Sequence, residues 1–104
     1  MKETLTLTTC RDVRQARRLA RALVVERLAA CVNVLPGVAS VYRWKGKVEE
    51  GREVLLLIKS TSARAKRLEA RVRELHSYEL PEILTLKIEG GSAAYLRWIR
   101  EGVR

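Results

Sequence analysis

The chain has 104 residues, 47% of them hydrophobic, and 21 Lys plus Arg against 12 Asp plus Glu give a formal net charge of +9. That length suits one domain with one core over residues 1–104, and the longest purely aliphatic run, Val54 to Ile58, is far too short to span a bilayer. Two cysteines, Cys10 and Cys31, are too few for a disulfide framework and match no zinc-finger spacing, so they read as free thiols of a reducing compartment. The first residues, Met1-Lys2-Glu3-Thr4, lack the basic start and apolar run of a signal peptide, and the expected location is cytoplasmic, with no membrane partner.

In chain order, "TLTLT" at Thr4 to Thr8 alternates strictly and predicts a short strand with Leu5 and Leu7 on one face. Asp12, with Gln15 three positions on, resembles a capping box that opens a helix running to about Arg27. Its stripe is Val13, Ala16, Ala20, Leu23, Val24 and Leu28. From Ala30 to Thr61 two β-rich arms flank Lys45-Gly46, a tight turn in which Gly46 supplies a positive φ. Leu35-Pro36-Gly37 on one arm and Gly51 on the other predict bends or bulges. Thr61 or Ser62 then caps a second helix that buries Ala65, Leu68, Val72 and Leu75 and ends near His76. Pro81 stops any continuation; Ile83, Leu84, Leu86 and Ile88 form a last main strand, and Ser92 caps a short helix bearing Tyr95, Trp98 and Ile99.

The order βαββαβ plus a small helix predicts an α+β, ferredoxin-like sandwich with a short C-terminal helix and a long bent central hairpin. Right-handed crossovers would place both long helices on one face of a four-stranded antiparallel sheet. Yet Val54, Leu56 and Ile58 point one way while Leu55 and Leu57 point the other. One of those sets would lie on the uncovered face, and its economical cover is another copy of the chain. A homo-oligomer packed sheet against sheet is therefore expected.

Catalytic and cofactor chemistry find little support. A Ser-His-Asp triad would have to use the only histidine, His76, and the only aspartate, Asp12, which already serves as a cap. Cys31 lies in an apolar strand context where burial makes a thiol inert, whereas Cys10 precedes a helix N-terminus, which favours a thiolate. No GxGxxG or Walker loop is present. RNA-binding domains of this element order stack bases on aromatics of the central strands, but those strands carry Leu and Thr here. Arg14, Arg17, Arg18 and Arg21 line one helical face, and Arg64, Arg67, Arg71 and Arg73 share another with Glu69 and Glu74. Both sets read as solvated faces, so a basic nucleic-acid-binding module is kept only as an alternative function. His76, Cys10 and Cys31, with Glu79 and Glu82 near His76 in sequence, are the soft or borderline metal ligands, and one subunit offers no cluster at recognisable spacing.

The blocks "RLAACVN", "PG", "SVYRWKG" and "HSYELPEI", in this order and at this separation, resemble the CutA divalent-cation-tolerance proteins from about Leu5 to Trp98. The resemblance implies a homotrimer of ferredoxin-like subunits with sheets packed inward, the hairpin joining neighbours, and a role in tolerance to copper and other divalent metal ions, and it brings no established enzymatic reaction. It implies cleft residues Tyr42, Trp44, Glu53, Lys59, Tyr78 and Glu82 between subunits. Of the family's copper ligands, the strand cysteine is replaced by Thr8 and the first of two histidines by Leu75, leaving His76, with Cys10 two residues beyond the expected cysteine. A copper or other divalent-metal site of His76 and Cys10 would then be weak. An architectural likeness to trimeric PII signalling proteins supplies an alternative, a sensor of a small anion held by Lys59 and Arg43.

Overall fold

The computed structural model describes residues 2–104. The elements are β1 (Glu3–Cys10), α1 (Val13–Val25), β2 (Cys31–Trp44), β3 (Lys47–Thr61), α2 (Ala65–Leu75), β4 (Leu84–Lys87) and α3 (Ala93–Gly102). The strands form one antiparallel sheet in the order β2-β3-β1-β4, giving a mixed α+β architecture.

Local chemistry accounts for most boundaries. Asp12 accepts from the Gln15 N–H at 2.8 Å and opens α1, as the sequence predicts. The helix stops at Val25, two residues before the expected Arg27. Arg27 adopts φ 59°, and the Leu28 and Arg27 N–H groups close back on the carbonyls of Leu23 (2.9 Å) and Val24 (3.1 Å). This is a Schellman ending with arginine in the left-handed position that glycine usually takes. A type I′ hairpin turn needs positive φ at both of its central positions, and Lys45 (51°) and Gly46 (81°) supply it. Gly37 has φ 78°, and the β2–β3 register shifts between Leu35 and Val38, which is the expected bulge. Gly51 makes none; it pairs in register with Ser40.

Two further expectations are corrected. Thr61 does not cap α2, because it remains in β3 opposite Glu3; Ser62–Arg64 turn, and the N-cap is Arg64 without a side-chain cap bond. β4 is limited to Leu84–Lys87, so Ile83 and Ile88 flank it, although the Ile88 N–H still bonds the Glu3 carbonyl at 3.0 Å.

Alternation along β1 and β3 divides the sheet into two unlike faces. Thr4, Thr6, Thr8, Cys10, Val54, Leu56, Ile58 and Ser60 lie under α1 and α2 and are buried against Ala16, Leu19, Leu23, Leu68 and Val72. The opposite face carries Leu5, Leu7, Leu55 and Leu57, which are half-buried, with Leu84 and Leu86 at 54% and 49% exposure. The register sets them side by side: Leu7 opposite Leu57 and Leu84, and Leu5 opposite Leu86. α3 crosses only the end of this face, where Arg100 pairs with the buried Glu3 carboxylate and holds its pKa low. The hairpin of β2 and β3 runs on past the helices, and the molecule measures 44 × 25 × 23 Å.

Candidate functional site

The segment after α2 builds one wall of a cleft, and its order starts at His76. The His76 N–H ends the helix by bonding the Val72 carbonyl at 2.9 Å, and the ring turns back towards β1. Nδ1 accepts the Tyr78 N–H at 3.1 Å, so the ring proton sits on Nε2, which donates to the Thr9 carbonyl at 2.7 Å. The imidazole is thus neutral, buried and fully bonded, and it fastens Tyr78 to the sheet. The two rings pack with centroids 4.7 Å apart. The Tyr78 hydroxyl in turn donates to Glu53 Oε2 at 2.8 Å; burial, then the neighbouring carboxylate, raises the phenol's pKa far above its ordinary value.

The bent hairpin forms the other wall. Between hairpin and loop lies an open cleft of about 1010 Å³ whose lining includes Tyr42, Trp44, Glu53, Tyr78 and Glu82. Five of the six expected cleft residues therefore meet within one subunit. Lys59 does not join them. It lies on the leucine face, opposite Cys31, bonded to Asn33 Oδ1 and 3.7 Å from Cys31 Sγ. Arg43 stands twelve residues along β2 from Cys31, roughly 40 Å at strand rise, so Lys59 and Arg43 do not converge on one anion within a subunit.

The lining also includes Glu79 and Arg52 and the wall residue Thr9, and Asn33 holds the Lys59 amine; none of these four was marked by the sequence as a cleft residue. Alternation along β3 sets Arg52 and Glu53 on opposite sides of the strand and so gives no sign that both line the cleft, and Thr9 and Asn33 became visible only once the strand register was known.

Cys10 and His76 do come together, with Sγ 4.0 Å from Nε2. Tetrahedral bonds of about 2.3 Å to sulfur and about 2.1 Å to nitrogen would hold two ligands about 3.6 Å apart, so the spacing suits a shared metal. The protonation states do not. Cys10 is fully buried, and desolvation, then Asp12 and Glu53, push its thiol up to about 11, which reverses the thiolate expected from its place before α1. Cys31, expected to be the buried thiol, is the accessible one. Among the described residues no three His, Cys, Asp or Glu side chains converge on one point.

The sequence of this chain matches that of the CutA1 divalent ion tolerance protein family over residues 4–102. The chain belongs to the CutA1 family. A divalent-cation tolerance protein CutA of Thermus thermophilus is 50% identical over 99 residues, which cover 95% of this chain and 96% of that one. Protein CutA of Homo sapiens is 46% identical over 89% of this chain, which spans only 52% of the human protein. A solved CutA1 structure from Thermus thermophilus superposes with a TM-score of 0.95 at 48% identity, covering 98% of this chain and 99% of that one. A CutA structure from Xylella fastidiosa superposes with a TM-score of 0.96 at 40% identity over the whole of both chains. The Thermus thermophilus protein is named for divalent-cation tolerance, and none of these names states a reaction. Among the described residues no helix is long and apolar enough to cross a membrane.

Proposed function

We propose that this CutA1 protein is a cytoplasmic, non-enzymatic homotrimer of ferredoxin-like subunits that serves in tolerance to copper and other divalent cations, binding the metal weakly at clefts between subunits. The observation that carries the reading is the leucine face. Leu5, Leu7, Leu55, Leu57, Leu84 and Leu86 form one apolar surface on the side of the sheet that α1 and α2 leave bare. An apolar surface of this extent calls for cover by a second chain. The strand order and the projecting hairpin suit ferredoxin-like subunits that reach across to a neighbour.

Weak metal binding follows from the donors at hand. His76 and Cys10 are the soft ligands assigned here, and both resist the metal. Loading Nε2 would cost its bond to the Thr9 carbonyl and move the ring proton to Nδ1, against the Tyr78 N–H. Loading Cys10 would cost the proton of a thiol whose pKa is about 11. Glu53, Glu79 and Glu82 add oxygen donors in the cleft, and a neighbouring subunit would complete the shell. Tyr42, Trp44 and Tyr78 shape the opening. The free cysteines fit a reducing cytoplasm.

Light scattering of the eluting protein tests the assembly, with three times the 11.8 kDa chain mass expected and a monomer at micromolar concentration overturning it. Calorimetric titration of copper and zinc into wild type and His76→Ala tests the metal. Loss of the weak signal in the variant supports His76, and unchanged binding removes it.

A further inference from the structure

The arginines of the two long helices look alike in sequence, and the structure separates them. On α2, Arg71 is held by Glu26 on two nearly equal bonds of 2.9 Å and also meets Glu74, while Arg73 meets Glu69 at 2.7 Å. Arg71 keeps the Glu26 carboxyl below its ordinary pKa. On α1, Arg14, Arg17, Arg18 and Arg21 are all exposed, and none has an ion pair among the described residues. Their spacing of i, i+3, i+4 and i+7 puts them within about 100° of arc at 100° per residue, over a length of about 10 Å. Ala16, Leu19, Ala20 and Leu23 occupy the opposite arc and are buried against the sheet. No acidic residue lies between Val13 and Val25, and the two carboxylates that flank α1 are engaged, Asp12 as cap and ion pair to Arg11 and Glu26 with Arg71.

We infer that the outer face of α1 is a contact surface for the phosphate backbone of a nucleic-acid duplex, bound without regard to sequence. Four guanidiniums without an ion pair among the described residues are a local excess of positive charge; of the carboxylates that share a hollow with Arg14 and Arg18, Asp12 is engaged as cap and with Arg11, and Glu74 meets Arg71 at 3.5 Å instead. The helix spends its apolar face on the core, so it cannot insert into a bilayer as an amphipathic anchor does. A duplex offers one phosphate charge per about 1.7 Å of axis, hence about six along the stripe, and planar guanidinium matches phosphate in a paired geometry. The stripe carries no free amide to read adenine, since the one beside it, Gln15, accepts from the Arg11 N–H at 3.4 Å, and guanidiniums set along one exposed face serve the continuous phosphate backbone. The surface lies opposite the leucine face, so its use does not depend on the assembly or the metal reading.

Fluorescence anisotropy of two 20-base-pair duplexes of unrelated sequence, from 50 to 200 mM NaCl, tests the inference on the whole protein. Four phosphate contacts give a slope of log affinity on log salt of about −3.6, roughly a 150-fold loss across that range. The two duplexes should bind within twofold of one another. Replacing Arg14, Arg17, Arg18 and Arg21 together by Gln should weaken binding at least tenfold at 50 mM and flatten the slope. A Lys66→Gln, Arg67→Gln control on α2 should stay within twofold of wild type. Arg18→Glu alone should weaken binding at least fivefold, and it decides the matter if the fourfold variant loses its helical circular dichroism. Absence of wild-type binding at 50 mM overturns the inference, as does an α1 variant that binds like wild type. Equal affinity for polyglutamate would reassign the stripe to acidic proteins and also overturn it.

Discussion

The two faces of the central sheet are made by the same strands yet obey different rules. Under the helices, β1 contributes threonines and a cysteine while β3 contributes Val54, Leu56 and Ile58, and every one of these side chains is buried. On the far side, β1 and β3 contribute leucines, and β4 adds two more that stand about half exposed. A sheet evolved for one covered face would reverse this, with leucine inside and threonine in water. The inversion on β1, with its larger apolar side chains on the bare face and its smaller polar ones under the helices, is what supports the subunit contact proposed there.

The sharpest way to break that comparison uses neighbours on one strand. Leu56→Ala empties space in the closed core and is expected to cost about 2–5 kcal/mol, read as a loss of thermal or urea stability. Leu57→Arg leaves the helix-side core untouched and is expected to lower the scattering mass of the assembly while the far-ultraviolet circular dichroism of the subunit persists. An unchanged mass would show that the leucine face is not where subunits meet.

The cysteines sharpen the comparison at the edges of the two faces. Cys10, on the helix side, stays protonated in the fold up to about pH 11, whereas in the unfolded chain it loses its proton near 9. Its contribution is therefore complete below about pH 9 and falls away as pH rises towards 11, by on the order of 2 kcal/mol. Stability of wild type minus that of Cys10→Ala should decline across that window, and a flat difference would contradict the burial of this thiol. At pH 8, iodoacetamide should label Cys31 of the dissociated Leu57→Arg subunit and leave Cys10 unmodified until the protein unfolds.

How much of this was legible beforehand follows the range of the interactions. Asp12, Ser92, Lys45-Gly46 and the Gly37 bulge act within a few residues, and the sequence marks each of them. The alternation of Leu55 and Leu57 against Leu56 and Ile58 announced a second apolar face without any structure. Failures came where distant partners decide: Thr61 belongs to the sheet because Glu3 pairs with it, not to the helix it precedes. The same holds for Cys10 and His76, because the Cys10 Sγ and the Thr9 carbonyl that meet His76 Nε2 lie 66 and 67 positions from it in the chain. Tyr42, Trp44, Glu53, Tyr78 and Glu82, which the resemblance names for a cleft between subunits, line one hollow of the single chain. Lys59 fell outside it because its place on β3 sets it opposite Cys31.

The smallest expected effect probes the polar side of the comparison directly. Thr6 meets Thr85 at 3.1 Å and Ser60 donates to the Leu28 carbonyl at 2.7 Å, but the hydroxyls of Thr4 and Thr8 are buried without a partner. A desolvated hydroxyl with no bond costs free energy that a methyl group of the same shape does not. Thr8→Val should therefore stabilise the protein by about 1 kcal/mol, a rise of about 4 °C in Tm for a domain of this size. Thr6→Val should gain less or lose slightly, because it removes the bond that Thr6 makes to the exposed Thr85 hydroxyl. If both variants lost stability equally, the Thr8 hydroxyl would have to be bonded, through an ordered water held between sheet and helices. The threonine face would then be a hydrated seam rather than a dry one, and its contrast with the leucine face would be deeper still.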